Sequence, residues 1–109
     1  MKNFKIGEQI QITQDYEIEA TLSDTKLHIK KGDKGFIDKN GNIHYTTGEA
    51  KGIIHLMKSF KAEDYDTESI ANIIMKYLNY YDIKSILEDN GIEIKDFKDT
   101  ITEALDEIF

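Results

Sequence analysis

One tight reversal constrains this chain more than any other stretch. From Ile29 to Ile37, the end of an extended run (Lys26 to Lys30) meets a Lys31-Gly32-Asp33-Lys34-Gly35 turn and leaves through Phe36 and Ile37. Two glycines three residues apart let a backbone reverse through conformations that other residues resist. The residues leading in, Lys26 to Lys30, read as a strand with Leu27 and Ile29 inward. Small antiparallel barrels turn from one strand into the next in this way.

The flanking segments follow the same pattern. Phe4 to Ile12 alternates with Ile6, Ile10 and Ile12 on one parity, as a half-buried strand requires. Tyr16, Ile18, Ala20 and Leu22 alternate against Glu17, Glu19 and Thr21, and Ser23-Asp24 reads as a turn. Phe36 to Asp38 runs into Lys39-Asn40-Gly41-Asn42, where Asn-Gly predicts a type I′ hairpin with both central residues at positive φ. Ile43, Tyr45 and Thr47 alternate on the return, Gly48 to Gly52 turns again, and Ile53 to Met57 forms a last strand. Five or six short strands within residues 1–60 predict an antiparallel β-barrel.

Lys5 to Ile12 and Ile29 to Ile37 together resemble the first strand and glycine-turn signature of SH3-like barrels, including KOW-type modules. The resemblance covers about half the chain. It implies a scaffold that binds peptides, RNA or other protein surfaces, without naming a partner.

Lys58 to Asp66 reads as a polar connector, and a helical period then takes over. Asp66 or Thr67 can cap a helix whose Ile70, Ile73, Ile74, Tyr77, Leu78 and Tyr81 recur at the spacing of one buried face. Asp82 can cap a short helix carrying Ile83, Ile86 and Leu87, ended by Asn90-Gly91 as a left-handed terminator. A last helix, from about Glu93 to the C-terminus, puts Ile94, Phe97, Ile101, Leu105 and Ile108 on one side. The expected fold class is α+β: an SH3-like antiparallel β-barrel over 1–60, and a three-helix acidic segment over 62–109 packed on it.

Composition narrows the chemistry. The absence of cysteine excludes disulfides and cysteine-based catalysis or zinc binding. No apolar run approaches the roughly 20 residues that span a bilayer, and the opening residues lack a signal-peptide pattern, so a cytoplasmic protein is expected. There is no Arg, Val, Pro or Trp, while Ile occurs 18 times and all 14 basic residues are Lys, a skew typical of an AT-rich genome. Without Arg the chain lacks the planar forks that read guanine or clamp phosphate best. The net charge of −7 is uneven. Residues 1–61 hold ten Lys against eight acids (+2), and residues 62–109 hold four Lys against thirteen (−9).

The last helix concentrates that acidity. Asp96, Asp99, Glu103 and Asp106, with Glu107 beside them, follow at helical neighbour spacing opposite the apolar stripe. Like charges so placed destabilise a helix by about 0.2–0.5 kcal/mol per pair. Asp106 and Glu107 also sit near the negative end of the helix dipole, at a cost of about 0.3–1 kcal/mol each. Four carboxylates along about 15 Å give one charge per about 4–5 Å, close to the spacing of phosphates on a DNA strand. A rod of this kind can occupy a Lys- and Arg-rich groove that otherwise holds nucleic acid. The exposed aromatic Tyr80 is a further contact candidate. In size, AT-rich composition, acidity and lack of catalytic motifs the chain is similar to the small anti-CRISPR and anti-restriction proteins of phages and conjugative elements. That likeness implies a non-enzymatic inhibitor whose partner is a basic nucleic-acid-binding protein, such as a CRISPR effector or a restriction enzyme.

Other readings compete. The acidic row can be a solvated face and nothing more. Lys30, Lys31 and Lys34, with Phe36 and Tyr45, can form an RNA-binding patch in which aromatics stack bases and lysines follow the backbone. Lys26, Lys39 and His44 lie close by, although Asp24, Asp33 and Asp38 interleave. Ile83 to Thr100 has helix-turn-helix spacing, but Asp96, Asp99 and Glu103 would repel phosphate, so an αα-hairpin is expected rather than direct DNA binding. His28, His44 and His55 lack paired ligand spacing and read as strand-surface residues, so no metal and no cofactor is assigned. The Tyr77–Tyr81 stretch can also make a homodimer. No G-x-S-x-G, P-loop or G-x-G-x-x-G is present, and no catalytic residue is assigned.

Overall fold

The computed structural model describes residues 2–19 and 26–109, and the chain is α+β, with strands preceding helices. It divides into two units, Met1–Asp64 and Tyr65–Phe109. The turn expected at Ser23-Asp24, and the end of the strand leading to it, lie outside the described residues.

In the first unit the strands are β1 (Lys2–Ile6), β2 (Gln9–Gln11), β3 (Tyr16–Glu19), β4 (Lys26–Ile29), β5 (Lys34–Ile37), β6 (Ile43–Tyr45), β7 (Ile54–His55) and β8 (Phe60–Tyr65). They form a four-stranded sheet in the order β2-β5-β6-β7 and two ladders, β1-β8 and β3-β4. Among the described residues these do not close into the expected barrel. The long first strand is one reason. Gly7, at φ 84°, divides it into β1 and β2, and β1 pairs with β8 instead of continuing along β5. What the ladders share is a core of Ile12, Ile29, Ile37, Ile43, Tyr45 and Ala50, against which Phe4, Tyr16, Leu27, Met57 and Phe60 pack. Ile29 and Ile37 are fully buried. Burial of an Ile side chain contributes about 1.5–3 kcal/mol, so the two ends of the opening stretch anchor this unit.

The two glycines of that stretch do different work. Gly32 makes the reversal, at φ 96°. Its N–H donates to the Ile12 carbonyl at 2.8 Å, and Asp33 Oδ2 accepts the Lys30 N–H at 2.9 Å. Gly35 lies inside β5, opposite Tyr45, where a Cβ would stand 2.6 Å from the His44 carbonyl oxygen. It is required for close approach of β6, and not for the turn.

The Asn-Gly hairpin also differs from a type I′ turn. Gly41 alone is at positive φ (81°), Asn40 is not, and the loop is the three residues Lys39 to Gly41. Asp38 explains the change. Its Oδ1 accepts the N–H groups of Asn40 and Asn42 at 2.9 and 3.0 Å, and its carbonyl accepts the Gly41 N–H. A side chain that supplies the turn's acceptors selects the longer loop with one left-handed residue. The expected connector Lys58 to Asp66 contains β8, whose hydrogen-bonding partner, β1, lies more than 50 residues away in sequence.

In the second unit α1 spans Thr67–Leu78, α2 Ile83–Asp89 and α3 Ile94–Ile108. Asp66 caps α1, accepting the Ser69 N–H at 3.1 Å. A single 3-10 turn, Asn79–Tyr81, follows. Asp82 does not cap α2 through its side chain; it sits in the left-handed region (φ 55°) and redirects the chain. Past α2, the N–H groups of Gly91 (φ 72°) and Ile92 donate to the carbonyls of Glu88 and Leu87, the double closure of a Schellman motif. α1 and α3 pack antiparallel. Lys98 reaches Glu68 at 3.9 Å, and the Thr67 hydroxyl donates to Asp106 at the far end of α3. The covered side of α1 is narrower than its period predicts. Ala71 is buried and Ile70, Ile73, Ile74 and Leu78 are half-buried, but Tyr77 and Tyr81 stay 72% and 69% exposed. No helix is long and apolar enough to cross a membrane among the described residues.

Candidate protein-interaction face

At 100° per residue, Asp96, Asp99, Glu103, Asp106 and Glu107 fall within an arc of about 100° on α3. Phe97, Ile101 and Leu105, half-buried, hold the opposite side, so the helix is fixed by its apolar stripe with its carboxylates outward. All five acids are exposed. They are not equivalent. Asp99 pairs with Lys95 one turn back, at 3.7 Å. Asp106 Oδ1 accepts the Thr67 hydroxyl at 2.5 Å, which places its charge at the positive N-terminus of α1. The expected dipole penalty on Asp106 is thereby offset by a neighbouring helix. The carboxylates of Asp96, Glu103 and Glu107 accept no hydrogen bond and form no ion pair among the described residues, although the Asp96 carbonyl accepts the Thr100 hydroxyl at 3.0 Å. Tyr80, the most exposed aromatic residue, lies just past α1 and not on the acidic face.

The alternative lysine patch is divided by the fold. Lys30, Lys31 and Lys34 are exposed. Tyr45 is 2% exposed and points into the core, so it leaves the patch. Its hydroxyl lies 2.6 Å from the Tyr16 hydroxyl and 2.8 Å from His55 Nδ1. Burial, and then the Tyr16 bond, push the Tyr45 phenol far above its ordinary pKa, so it is neutral at any working pH. Phe36 stacks on His44 (centroids 4.7 Å apart, 15° between planes), which occupies one of the faces a base would use. The Tyr16–Tyr45–His55 chain joins β3 to β6 and β7, and the sequence gives no local sign of it.

The histidines are held by different partners. His28 Nδ1 is 3.2 Å from Glu17, His44 Nε2 is 2.8 Å from Asp38, and His55 faces Tyr45. Burial holds the His55 pKa below its ordinary value. Burial alone would raise the Asp38 carboxyl, but the His44 bond and the N–H groups of Asn42 and Asn40 outweigh it and keep that pKa low. Among the described residues no group of three His, Asp or Glu could hold a metal ion. A cleft of about 290 Å³ is lined by Asp15, Tyr16, Glu17, His28, Ile29 and Lys30. Its two acids are already engaged: Asp15 accepts the Lys31 N–H, and Glu17 faces His28 and Lys26.

No protein-family model matches the chain, and comparison with curated proteins and with solved structures likewise yields no match.

Proposed function

We propose that this chain is a non-enzymatic, cytoplasmic binding protein. Its acidic α3 face docks in the basic groove of a nucleic-acid-handling protein and excludes the nucleic acid. The targets that fit are a CRISPR effector or a restriction enzyme, as for the small inhibitors of mobile elements. In this reading the β unit is a scaffold of SH3-like character and carries no chemistry of its own.

The observation that supports the reading is the unpaired set Asp96, Glu103 and Glu107, exposed on one side of a helix whose other side is occupied by packing. Asp96, in the first turn, is favoured by the helix dipole, but Glu103 and Glu107 lie beyond that turn among like charges that cost helix stability. Facing a cationic groove, they would speed encounter and fix orientation.

The test is a competition assay with a basic nuclease and its labelled nucleic acid. The wild type should displace the nucleic acid, with affinity falling steeply as salt rises, and the Asp99→Lys, Glu103→Lys double variant should not. If wild type and double variant capture the same partners equally well, the acidic face is not the contact.

A further inference from the structure

The four-stranded sheet ends on an edge that no strand covers among the described residues. β7 pairs with β6 on one side only. The Ile53 carbonyl accepts the Tyr45 N–H at 3.1 Å, and the Met57 N–H donates to Asn42 Oδ1 at 3.1 Å. With those groups turned toward β6, strand alternation points the N–H and carbonyl of Ile54 and of Leu56 away from it. None of these backbone groups has a hydrogen-bond partner among the described residues. Ile54 lies opposite His44 in the ladder, and Ile54 and Leu56 are 51% and 71% exposed. An open row of backbone donors and acceptors with exposed apolar side chains at alternate positions is a template for an added strand.

Charge narrows the occupant. Residues 50–62 hold three Lys and no acid, in a chain whose net charge is −7. Lys61 is already paired with Glu63 at 2.6 Å. Lys51 and Lys58, which bracket the edge, are exposed and form no ion pair among the described residues. A second copy's β7 laid alongside, in either direction, would bring lysine against lysine, and like charges across a strand pair repel. An extended segment of another protein, with apolar residues at alternate positions between acidic ends, meets the apolar side chains and both ammonium groups at once.

We infer that the outer edge of β7 binds an acidic, extended peptide segment by strand addition. Its backbone pairs with Ile54 and Leu56, and its acidic ends meet Lys51 and Lys58. The inference is independent of what α3 binds.

Fluorescence anisotropy with two labelled peptides tests it. One alternates isoleucine and threonine between terminal glutamates, and the other has terminal lysines in their place. The wild type should bind the glutamate-ended peptide about tenfold more tightly than the lysine-ended one. The Lys51→Glu, Lys58→Glu double variant should reverse that order with unchanged circular dichroism, because both side chains are exposed in the folded chain. N-methylation of alternate peptide amides, tried in both registers, should abolish binding in the register that faces the edge, since it removes donors without altering charge. Glu103→Lys should bind the peptide like the wild type, which separates this edge from the acidic face. A wild type that binds neither peptide, an order that survives in the double variant, or full binding after methylation in both registers overturns the assignment.

Discussion

Acidic side chains do different work in the two units. In the β unit they close the backbone: Asp15 accepts the Lys31 N–H, Glu49 that of His28, Asp33 that of Lys30, and Asp38 those of Asn40 and Asn42. In the helical unit Asp66 and Asp106 serve the start of α1, and three of the five α3 carboxylates are exposed and have no bonded partner among the described residues. The cores differ in the same direction. Three large isoleucines of the β unit are almost wholly buried, whereas only Ala71 and Leu87 are buried among the helices. A hydrogen bond to a charged acceptor is worth about 1.5–3 kcal/mol, and a solvated like-charge row costs a few tenths per pair. Negative charge therefore does not by itself identify a working surface; what each carboxylate faces does.

The largest effect that can break this contrast comes from the cores. Ile37→Ala should cost about 2–5 kcal/mol, read as a lower urea midpoint, because the side chain is fully enclosed by a rigid set of neighbours. Ile101→Ala, at a half-buried site on α3, should cost clearly less. Equal losses would mean that the helical unit is packed as tightly as the β unit. Asp38→Ala comes next, at about 1–3 kcal/mol, since it strands two backbone N–H groups and the His44 ring. Asp96→Ala on α3 should change stability by no more than about 0.5 kcal/mol.

Acid titration sharpens the same contrast. His55 has its pKa depressed from 6.5 by burial. As pH falls the unfolded chain takes up the proton first, so its contribution is fully present above about pH 6.5 and is lost as pH drops through the folded value. Denaturant midpoints should fall between pH 7 and pH 5, and His55→Gln should flatten that slope while keeping an acceptor for the Tyr45 hydroxyl. Asp38, also depressed, adds a second loss below its ordinary 3.8. A wild-type midpoint that does not move between pH 7 and pH 5 would mean that His55 is not held neutral by its surroundings.

Much of this was legible in the sequence, and the failures share a cause. Alternation and punctuation located most of the strands and the Gly91 stop, and narrowed the α1 cap to Asp66 or Thr67, because each is a local rule acting on adjacent residues. Strand β8 escaped because Phe60 to Tyr65 is half polar and gains its ladder only from β1, at the other end of the unit. Tyr77 and Tyr81 were placed inside because helical spacing gives a direction without saying how far the neighbouring helix reaches. The hairpin at Asn40-Gly41 departed from its dipeptide rule because Asp38, two residues upstream, supplies a competing acceptor. On α3 the spacing gave the acidic face directly, but not that Asp106 already has a use at Thr67.

The smallest expected change in stability is the one on which the functional contrast turns. Glu103 lies one turn from Asp99, Asp106 and Glu107, so Glu103→Lys replaces three like-charge neighbours with three opposite-charge ones. Each exchange is worth about 0.2–0.5 kcal/mol in an isolated helix. The melting temperature should therefore hold or rise slightly, while binding to a basic partner weakens most at low salt, where screening is least. The signs are opposed: a residue retained for the fold loses stability when its charge is reversed, and one retained for a cationic partner loses only the partner. A drop of more than about 1 kcal/mol in Glu103→Lys would put that carboxylate with Asp38, among the acids that fold the chain.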